Sequence, residues 1–373
     1  MKKIALFTGT RAEYGLMRTL IKKLNEDNHF EFNLLISSTH LNSRFGNTIE
    51  EIKNDGISTE FVLPIDIATK KKSDMGIQTA EIIKQVTLTL ENLKSDNLII
   101  LGDRFESFGA AAAAHLLGVK NIHLHGGETS LGAIDDKLRH AISQLSTFHF
   151  TSADIHKQKV EEIMGSSRNV FNVGPMVIDG FKHLDLLSKK DFESRTGFTL
   201  AKKNLLITFH PETLSEDFGI KGLQNLLECL KKYDCNILFT APNADVGSDL
   251  ILNIINNFIK NTKGKSFFIP SLGQELYLNA LLLFDCVVGN SSSGIVEAPL
   301  LGANVLNIGD RQKGRHRFGK VIDVKNDYNS ISNAVSSVLS VNKLKKIDPT
   351  KLKESINKDS PSNQIIRTLK SKL

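Results

Sequence analysis

The chain reads as an α/β protein built of two Rossmann-like domains, each a doubly wound parallel sheet. Three observations predict this. Short β-rich runs alternate with helix-patterned stretches in both halves of the sequence. The rhythm breaks once, at Gly174-Pro175, and gives way to a polar, Lys/Asp-rich stretch that lasts to about Lys203. Finally, 373 residues, 40% hydrophobic and 24% charged, are ordinary globular material but too many for one comfortable core.

In order, Ile4–Thr8 reads as a strand, followed by Leu16, Leu20, Ile21 and Leu24 at helical spacing, and Phe32–Ser37 as the next strand. A helix around Ile77–Leu93 leads to strand Leu98–Leu101. The Ala-rich run Phe108–Leu117 leads to Asn121–Leu124, and a helix around Lys137–Leu145 leads to strands Phe148–Thr151 and Val170–Val173. The second series runs through strand Leu205–Phe209, a helix near Leu223–Leu230, strands Ile237–Thr240 and Phe267–Ile269, a helix near Glu275–Leu283, and strands Cys286–Gly289 and Val305–Ile308. These patterns place one domain at 1–176 and the other at 177–354, with a terminal helix, 355–373, returning to the first.

Composition excludes several classes of function. The apolar run after Met1-Lys-Lys is too short for a secretory h-region, and no stretch approaches the roughly 20 apolar residues of a spanning helix. Cys229, Cys235 and Cys286 form no C-x-x-C pair and read as reduced core thiols, which suits a cytoplasmic protein. The net charge of +6 fits an anionic partner, yet the lysines are scattered, and four Tyr and no Trp offer little for base stacking. A small anionic ligand is therefore expected, with no nucleic acid and no membrane.

In open parallel sheets ligands bind where strand carboxyl ends run into helices, so motifs are weighed by whether they follow a strand. Strand Cys286–Gly289 runs into Asn290-Ser291-Ser292-Ser293-Gly294, then Glu297. Backbone amides, hydroxyls and a helix N-terminus converging there suit a diphosphate, and Glu297 suits two vicinal ribose hydroxyls. The same letters also spell an ordinary N-cap. Arg11 in Gly9-Thr10-Arg11 follows the first strand, where a guanidinium fork meets phosphate or carboxylate. Asp103, His125, Glu128 and Asp135 come from strand-end loops of the first domain, as acid/base work on a sugar carbon requires. A metal site competes for this set, but its spacing matches no zinc-finger or H-E-x-x-H pattern. In the second half, His210-Pro211 ends a strand and places His210 toward a leaving group, Asn243 follows the strand Ile237–Thr240, and Arg311 leads a basic loop after Val305–Ile308. Lys70-Lys71-Lys72 reads as a solvated loop, with a lid over phosphates as the other reading.

Taken in order, Gly9-Thr10-Arg11-Ala12-Glu13-Tyr14-Gly15, Gly102-Asp103-Arg104, His125-Gly126-Gly127-Glu128 with Asp135, His210-Pro211-Glu212-Thr213, Gly289–Pro299 and Gly309-Asp310-Arg311-Gln312 resemble the UDP-N-acetylglucosamine 2-epimerases. The likeness covers about residues 1 to 340 and is greatest to the hydrolysing bacterial branch that makes N-acetylmannosamine for sialic acid. It implies GT-B architecture with the active site in a central cleft between lobes, a UDP-sugar substrate, no redox cofactor, and a dimer or tetramer. It also implies that Ser291, Ser292, Ser293, Gly294 and Glu297 hold the UDP, and that Asp103 and Asp135 are candidate catalytic carboxylates. One departure stands out. Many members carry a glutamate before the paired glycines, and this chain has His125, which leaves the role open between His125 and Glu128. A UDP-2,4-diacetamido-trideoxyhexose, as in the legionaminic acid pathway, is the alternative substrate. A glycosyltransferase or a non-catalytic UDP-sugar sensor of the same architecture is the alternative function.

Overall fold

The computed structural model describes residues 1–37, 40, 48–65, 71–262, 264–340, 348–355 and 359–373. The chain forms two compact units. The first comprises Met1–Glu128, Asp135–His183 and Lys358–Leu373, and the second comprises Thr129–Ile134 and Leu184–Asn357.

The first unit runs β1 (Lys2–Thr8), α1 (Arg11–Glu26), β2 (Phe30–Ser37), α2 (Ile49–Asn54), β3 (Phe61–Leu63), α3 (Lys72–Leu93), β4 (Asn97–Leu101), α4 (Phe105–Leu116), β5 (Lys120–Leu124), α5 (Asp135–Gln144), β6 (Ser146–Thr151), α6 (Asp154–Met164), β7 (Val170–Asn172) and α7 (Val177–Lys182). Its parallel sheet has the order β3-β2-β1-β4-β5-β6-β7, so the winding reverses between β1 and β4. Alternation along β1 sends Ile4 and Leu6 to one face, with Tyr14, Met17, Leu20 and Leu24 of α1. Ala5 and Phe7 go to the other face, with Ile82, Val86 and Leu90 of α3 and the alanines of α4. Both faces are covered, which is why these strands read as apolar runs.

The second unit continues with α8 (Lys189–Thr196), β8 (Asn204–Thr208), α9 (Ile220–Leu230), β9 (Asn236–Thr240), α10 (Ser248–Lys260), β10 (Ser266–Phe268), α11 (Gly273–Leu283), β11 (Cys286–Gly289), a 3-10 turn at Ser292–Gly294, α12 (Glu297–Leu300), β12 (Val305–Ile308), β13 (Ile322–Val324), α13 (Tyr328–Leu339) and α14 (Pro349–Ser355). The sheet order is β10-β9-β8-β11-β12-β13, all parallel, with the reversal between β8 and β11. The expected α/β class holds: two Rossmann-like units, the GT-B class. All four edge strands, β3, β7, β10 and β13, have three residues; β7 and β10 match expected strands and β3 and β13 do not.

The last helix, α15 (Pro361–Lys372), belongs to the first unit. Ile365 and Leu369 join the core beside Met17 and Leu20, and fully burying such a side chain stabilises by about 1.5–3 kcal/mol. Asp179 of α7 accepts from the Ser362 amide at 2.9 Å, tying α7 to α15 and carrying the first unit to His183. Of the Lys70–Lys72 run, Lys70 lies outside the described residues, whereas Lys71 is exposed and caps α3 through its amide, which donates to Asp74. No described helix is long and apolar enough to cross a membrane.

Candidate active site

In the first unit the carboxyl ends of β1 and β4, the pair flanking the winding reversal, carry Arg11 and Asp103. Thr10 caps α1 and Glu13 completes a capping box. The Glu13 carboxylate accepts from the Gly9 amide at 2.6 Å and the Thr10 amide at 3.0 Å, and Ser107 of α4 donates to it at 3.3 Å. Burial, with the charge of Glu106 adding to it, pushes Glu13 up to about 7, against the opposing pull of Arg104 and the two amides. Glu106 itself is held by Arg104 in a two-point pair at 2.9 and 3.0 Å. Arg11, half-buried, is the first residue of α1, so the box that fixes Gly9 and Thr10 also fixes where Arg11 leaves the strand.

Asp103 follows Gly102, half-buried, and its carboxylate pairs with Arg139 of α5. Arg139 is 1% exposed and divides its fork: Nη2 serves Asp103, and Nη1 donates to Glu128 Oε2 at 3.0 Å. Glu128 Oε1 accepts from Ser152 at 2.8 Å and lies 3.2 Å from His125 Nδ1. The Met176 amide donates to His125 Nε2 at 3.2 Å, so that nitrogen holds a lone pair and the ring proton sits on Nδ1, facing Glu128. The tautomer is assigned from these partners. His125 also adopts φ +61°, rare for a residue with a side chain and a cost of about 1–3 kcal/mol that the surrounding bonds sustain. The paired glycines beyond it are needed for space. Gly127 has φ +79°, and a β-carbon there would stand 2.2 Å from the His156 carbonyl oxygen. Deeper still, His123 Nε2 donates to the Gly102 carbonyl, and burial pushes this ring down to about 3, so it is a neutral prop under the Asp103 loop.

Three of the expected carboxylate and imidazole groups, Asp103, His125 and Glu128, are thus one hydrogen-bonded network with Arg139 at its centre. Asp135 is the first residue of α5, one turn before Arg139 on that helix, and is half-buried. Between Glu128 and Asp135 the chain passes through Thr129–Ile134, which packs with the second unit, where the Leu131 amide donates to the Lys313 carbonyl at 3.0 Å.

In the second unit the loops after β8, β11 and β12 are stitched together by Asn290. Its side chain accepts from the His210 amide at 2.7 Å and donates to the His210 carbonyl at 2.9 Å. Its own carbonyl accepts from Gln312 Nε2 at 2.9 Å and Arg311 Nη1 at 3.3 Å. The Asn243 amide donates to His210 Nδ1 at 3.1 Å, which puts the ring proton on Nε2 and makes that atom a donor. Gly289 turns the strand end with φ +137°, and a β-carbon there would stand 2.0 Å from the Thr208 carbonyl oxygen. Ser291 caps the 3-10 turn by accepting from the Ser293 amide, and Tyr277 donates to Ser293 Oγ at 2.6 Å. Ser291 and Ser292 are half-buried, and Ser293 and Gly294 are buried. Glu297 opens α12 as its first residue, after the 3-10 turn that takes up Ser292 and Ser293. Arg311 is buried at 9% exposure.

Sequence reasoning named these loops but missed four residues that organise them. Glu13 was signalled by the T-x-x-E spacing of a capping box, and Arg139 by its place four residues after Asp135. Asn290 and Gln312 had no such signal, since their partners are main-chain groups of loops distant in sequence. Among the described residues, no group of three or more His, Cys, Asp or Glu side chains is arranged to hold a metal ion.

Comparison with known proteins shows the family and the fold. The sequence model of the UDP-N-acetylglucosamine 2-epimerase family matches residues 22–370. The GDP/UDP-N,N'-diacetylbacillosamine 2-epimerase (hydrolyzing) of Campylobacter jejuni is 35% identical, covering 86% of this chain and 84% of its own. The polysialic acid biosynthesis protein P7 of Escherichia coli is also 35% identical, covering 90% and 86%. The crystal structure of the Neisseria meningitidis UDP-GlcNAc 2-epimerase bound to UDP-GlcNAc shares the fold, with a TM-score of 0.77, 19% identity and full coverage of both chains. The chain belongs to the UDP-N-acetylglucosamine 2-epimerase family.

Proposed function

We propose that this protein is a hydrolysing 2-epimerase that converts UDP-N-acetylglucosamine to N-acetylmannosamine and UDP. What supports the reading, beyond family membership, is the Asp103–Arg139–Glu128–His125 network at the sheet reversal of the first unit. The C2 hydrogen of the sugar is a poor acid. Breaking the C1–O bond as the C2 proton leaves lets the diphosphate carry away the electron pair, giving a 1,2-unsaturated sugar and UDP. Water then adds its oxygen at C1 while C2 takes a proton on the opposite face. Asp103 and Asp135 are the candidates for the groups that move these protons. His125 has both ring nitrogens engaged and Glu128 is held by three partners, which favours them as positioning residues for Asp103, acting through Arg139. Arg11, the Nε2–H of His210, Arg311 and the turn Ser291–Gly294 are the groups assigned to the departing diphosphate, Asn243 orients His210, and Glu297 is assigned to the ribose.

A second substrate, a UDP-2,4-diacetamido-trideoxyhexose, is favoured by the Campylobacter relative, and the Escherichia coli relative's link to polysialic acid favours the first. Incubation with each UDP-sugar in deuterated water separates them. The proposal expects UDP release and N-acetylmannosamine carrying one deuterium at C2. Turnover of the diacetamido sugar alone moves the assignment to the second substrate, and a 2-epimer still joined to UDP refutes the hydrolytic reading.

A further inference from the structure

Ser152 follows β6 and donates to Glu128, and behind it stands His156, a buried histidine that the chemistry above does not use. His156 is the third residue of α6, the place from which a capping box would send an acid back to the N-cap. The N-cap here is Ala153, which makes no side-chain bond, and the imidazole reaches past it to Ser152, with Nδ1 2.9 Å from the hydroxyl oxygen. Chemistry fixes the direction of that bond. The one hydroxyl proton of Ser152 goes to Glu128 Oε1 at 2.8 Å, so the hydroxyl oxygen accepts and His156 carries a proton on Nδ1, an assignment made from these partners. Hydrogen bonds thus run one way, from His156 to Ser152 to Glu128. At Glu128 they meet His125 Nδ1, 3.2 Å from the same oxygen, while the other oxygen accepts from Arg139 Nη1 at 3.0 Å. The His156 main chain reaches this loop as well, since its carbonyl fills the space a side chain would take at Gly127.

We propose that His156 is a positioning residue for the reaction: by donating to Ser152 it turns the serine hydroxyl onto Glu128, and the Glu128 carboxylate sets the Arg139 fork that holds Asp103. This rests on the reading of Asp103 as a proton-transfer group. A serine hydroxyl rotates about its C–O bond, and inside a protein it settles where the fewest buried polar groups go unsatisfied. With His156 filling a lone pair of the oxygen, the proton is left directed at Glu128. Loss of that donor frees the hydroxyl, loosens the oxygen of Glu128 that Ser152 and His125 share, and lets Arg139 and Asp103 shift. Misplacement on the order of an ångström can slow turnover by about 10²-fold. His210, Ser291–Gly294, Glu297 and Arg311, assigned to UDP, belong to the other compact unit, so the effect is expected in turnover and not in UDP affinity.

The test measures kcat for UDP release from whichever of the two UDP-sugars the wild type turns over, and UDP affinity by calorimetry, on the full chain. Phenylalanine at this position keeps a ring and removes the donor, whereas asparagine keeps a donor bonded to Cγ, where Nδ1 stands. His156→Phe is expected to lower kcat by about five- to a hundredfold with UDP affinity within about twofold, and His156→Asn to bring kcat back to within about threefold of wild type. Ser152→Ala should lower kcat by a similar factor, and adding His156→Phe to it should cost less than about twofold more, because the two act along one chain of bonds. A folded His156→Phe with wild-type kcat overturns the inference and leaves the proposed reaction standing. So does a loss that asparagine fails to recover, or one that is undiminished beside Ser152→Ala. Should His156→Phe fail to fold, His156→Asn is compared with His156→Gln, whose amide stands further out, near the place of Nε2: a higher kcat for asparagine supports the inference, and equal values overturn it. A wild-type protein that turns over neither UDP-sugar overturns the proposed function and this inference with it.

Discussion

Replacing Glu13 by glutamine isolates the cost of burying an ionisable group under the β1–α1 loop. In the folded chain its carboxyl is pushed from 4.5 to about 7, first by burial and then by the charge of Glu106. A folded pKa above the unfolded one means the folded state binds the proton more tightly. The contribution is therefore fully present below about pH 4.5 and lost as pH rises through about 7. At roughly 1.4 kcal/mol per unit, the span amounts to about 3 kcal/mol. Glutamine keeps the shape, and its single oxygen can accept from the Gly9 and Thr10 amides without a charge. The stability of Glu13→Gln relative to wild type should climb by up to about 3 kcal/mol between acid and alkaline pH. For a unit of this size that is a difference in melting temperature of about 6 to 12 °C. Differential scanning calorimetry of both proteins across that range measures it. A pH-independent difference, or a wild type that gains on the variant as pH rises, would refute the argument and mean that the two amides outweigh burial.

Three further outcomes follow from the site. Asp103→Asn should lower kcat by about 10²- to 10⁴-fold while UDP affinity stays within about twofold, since the change removes a proton-transfer group from the first unit; a large loss of UDP binding would recast Asp103 as structural. Glu297→Ala should raise KM by about ten- to a hundredfold with kcat little changed, as expected for lost hydrogen bonds to a charged group; steady-state kinetics showing a defect confined to kcat would count against the ribose role. Gly289→Ala forces a β-carbon to 2.0 Å from the Thr208 carbonyl in a backbone conformation that alanine rarely adopts, so it should cost more than about 4 kcal/mol. A soluble variant with an unchanged calorimetric transition of the second unit would show that the strand end can rearrange.

Much of the fold is legible in the sequence. Alternation between β-rich and helical patterns marks the strands that lie inside parallel sheets, because burial on both faces demands continuous apolar runs such as Leu98–Leu101 and Leu205–Ile207. Glycine and polar letters directly after those runs mark the strand-end loops, which is how Arg11, Asp103, His210 and Ser291 became candidates. The edge strands Phe61–Leu63 and Ile322–Val324 escaped notice, whereas Val170–Asn172 and Ser266–Phe268, also three residues at sheet edges, were read; Ile322 and Asp323 are exposed, so Ile322–Val324 has no buried run to mark it.

The sequence by itself therefore determined the α/β class, the two sheets and the loops where chemistry is to be sought, for these follow from local periodicity and strand-end punctuation. Only the tertiary structure decided which partners and surroundings each group in those loops has. His125 looks like a base in the sequence, but the Met176 amide, 51 residues away, occupies its Nε2. Glu128 looks like an acid, but Arg139, Ser152 and His125 converge on it. Glu13 and Glu212 look like surface carboxylates, but burial and neighbouring acids raise both. A residue's ionisation and hydrogen-bond partners depend on what folding brings around it in three dimensions, and no local pattern in the chain carries that information.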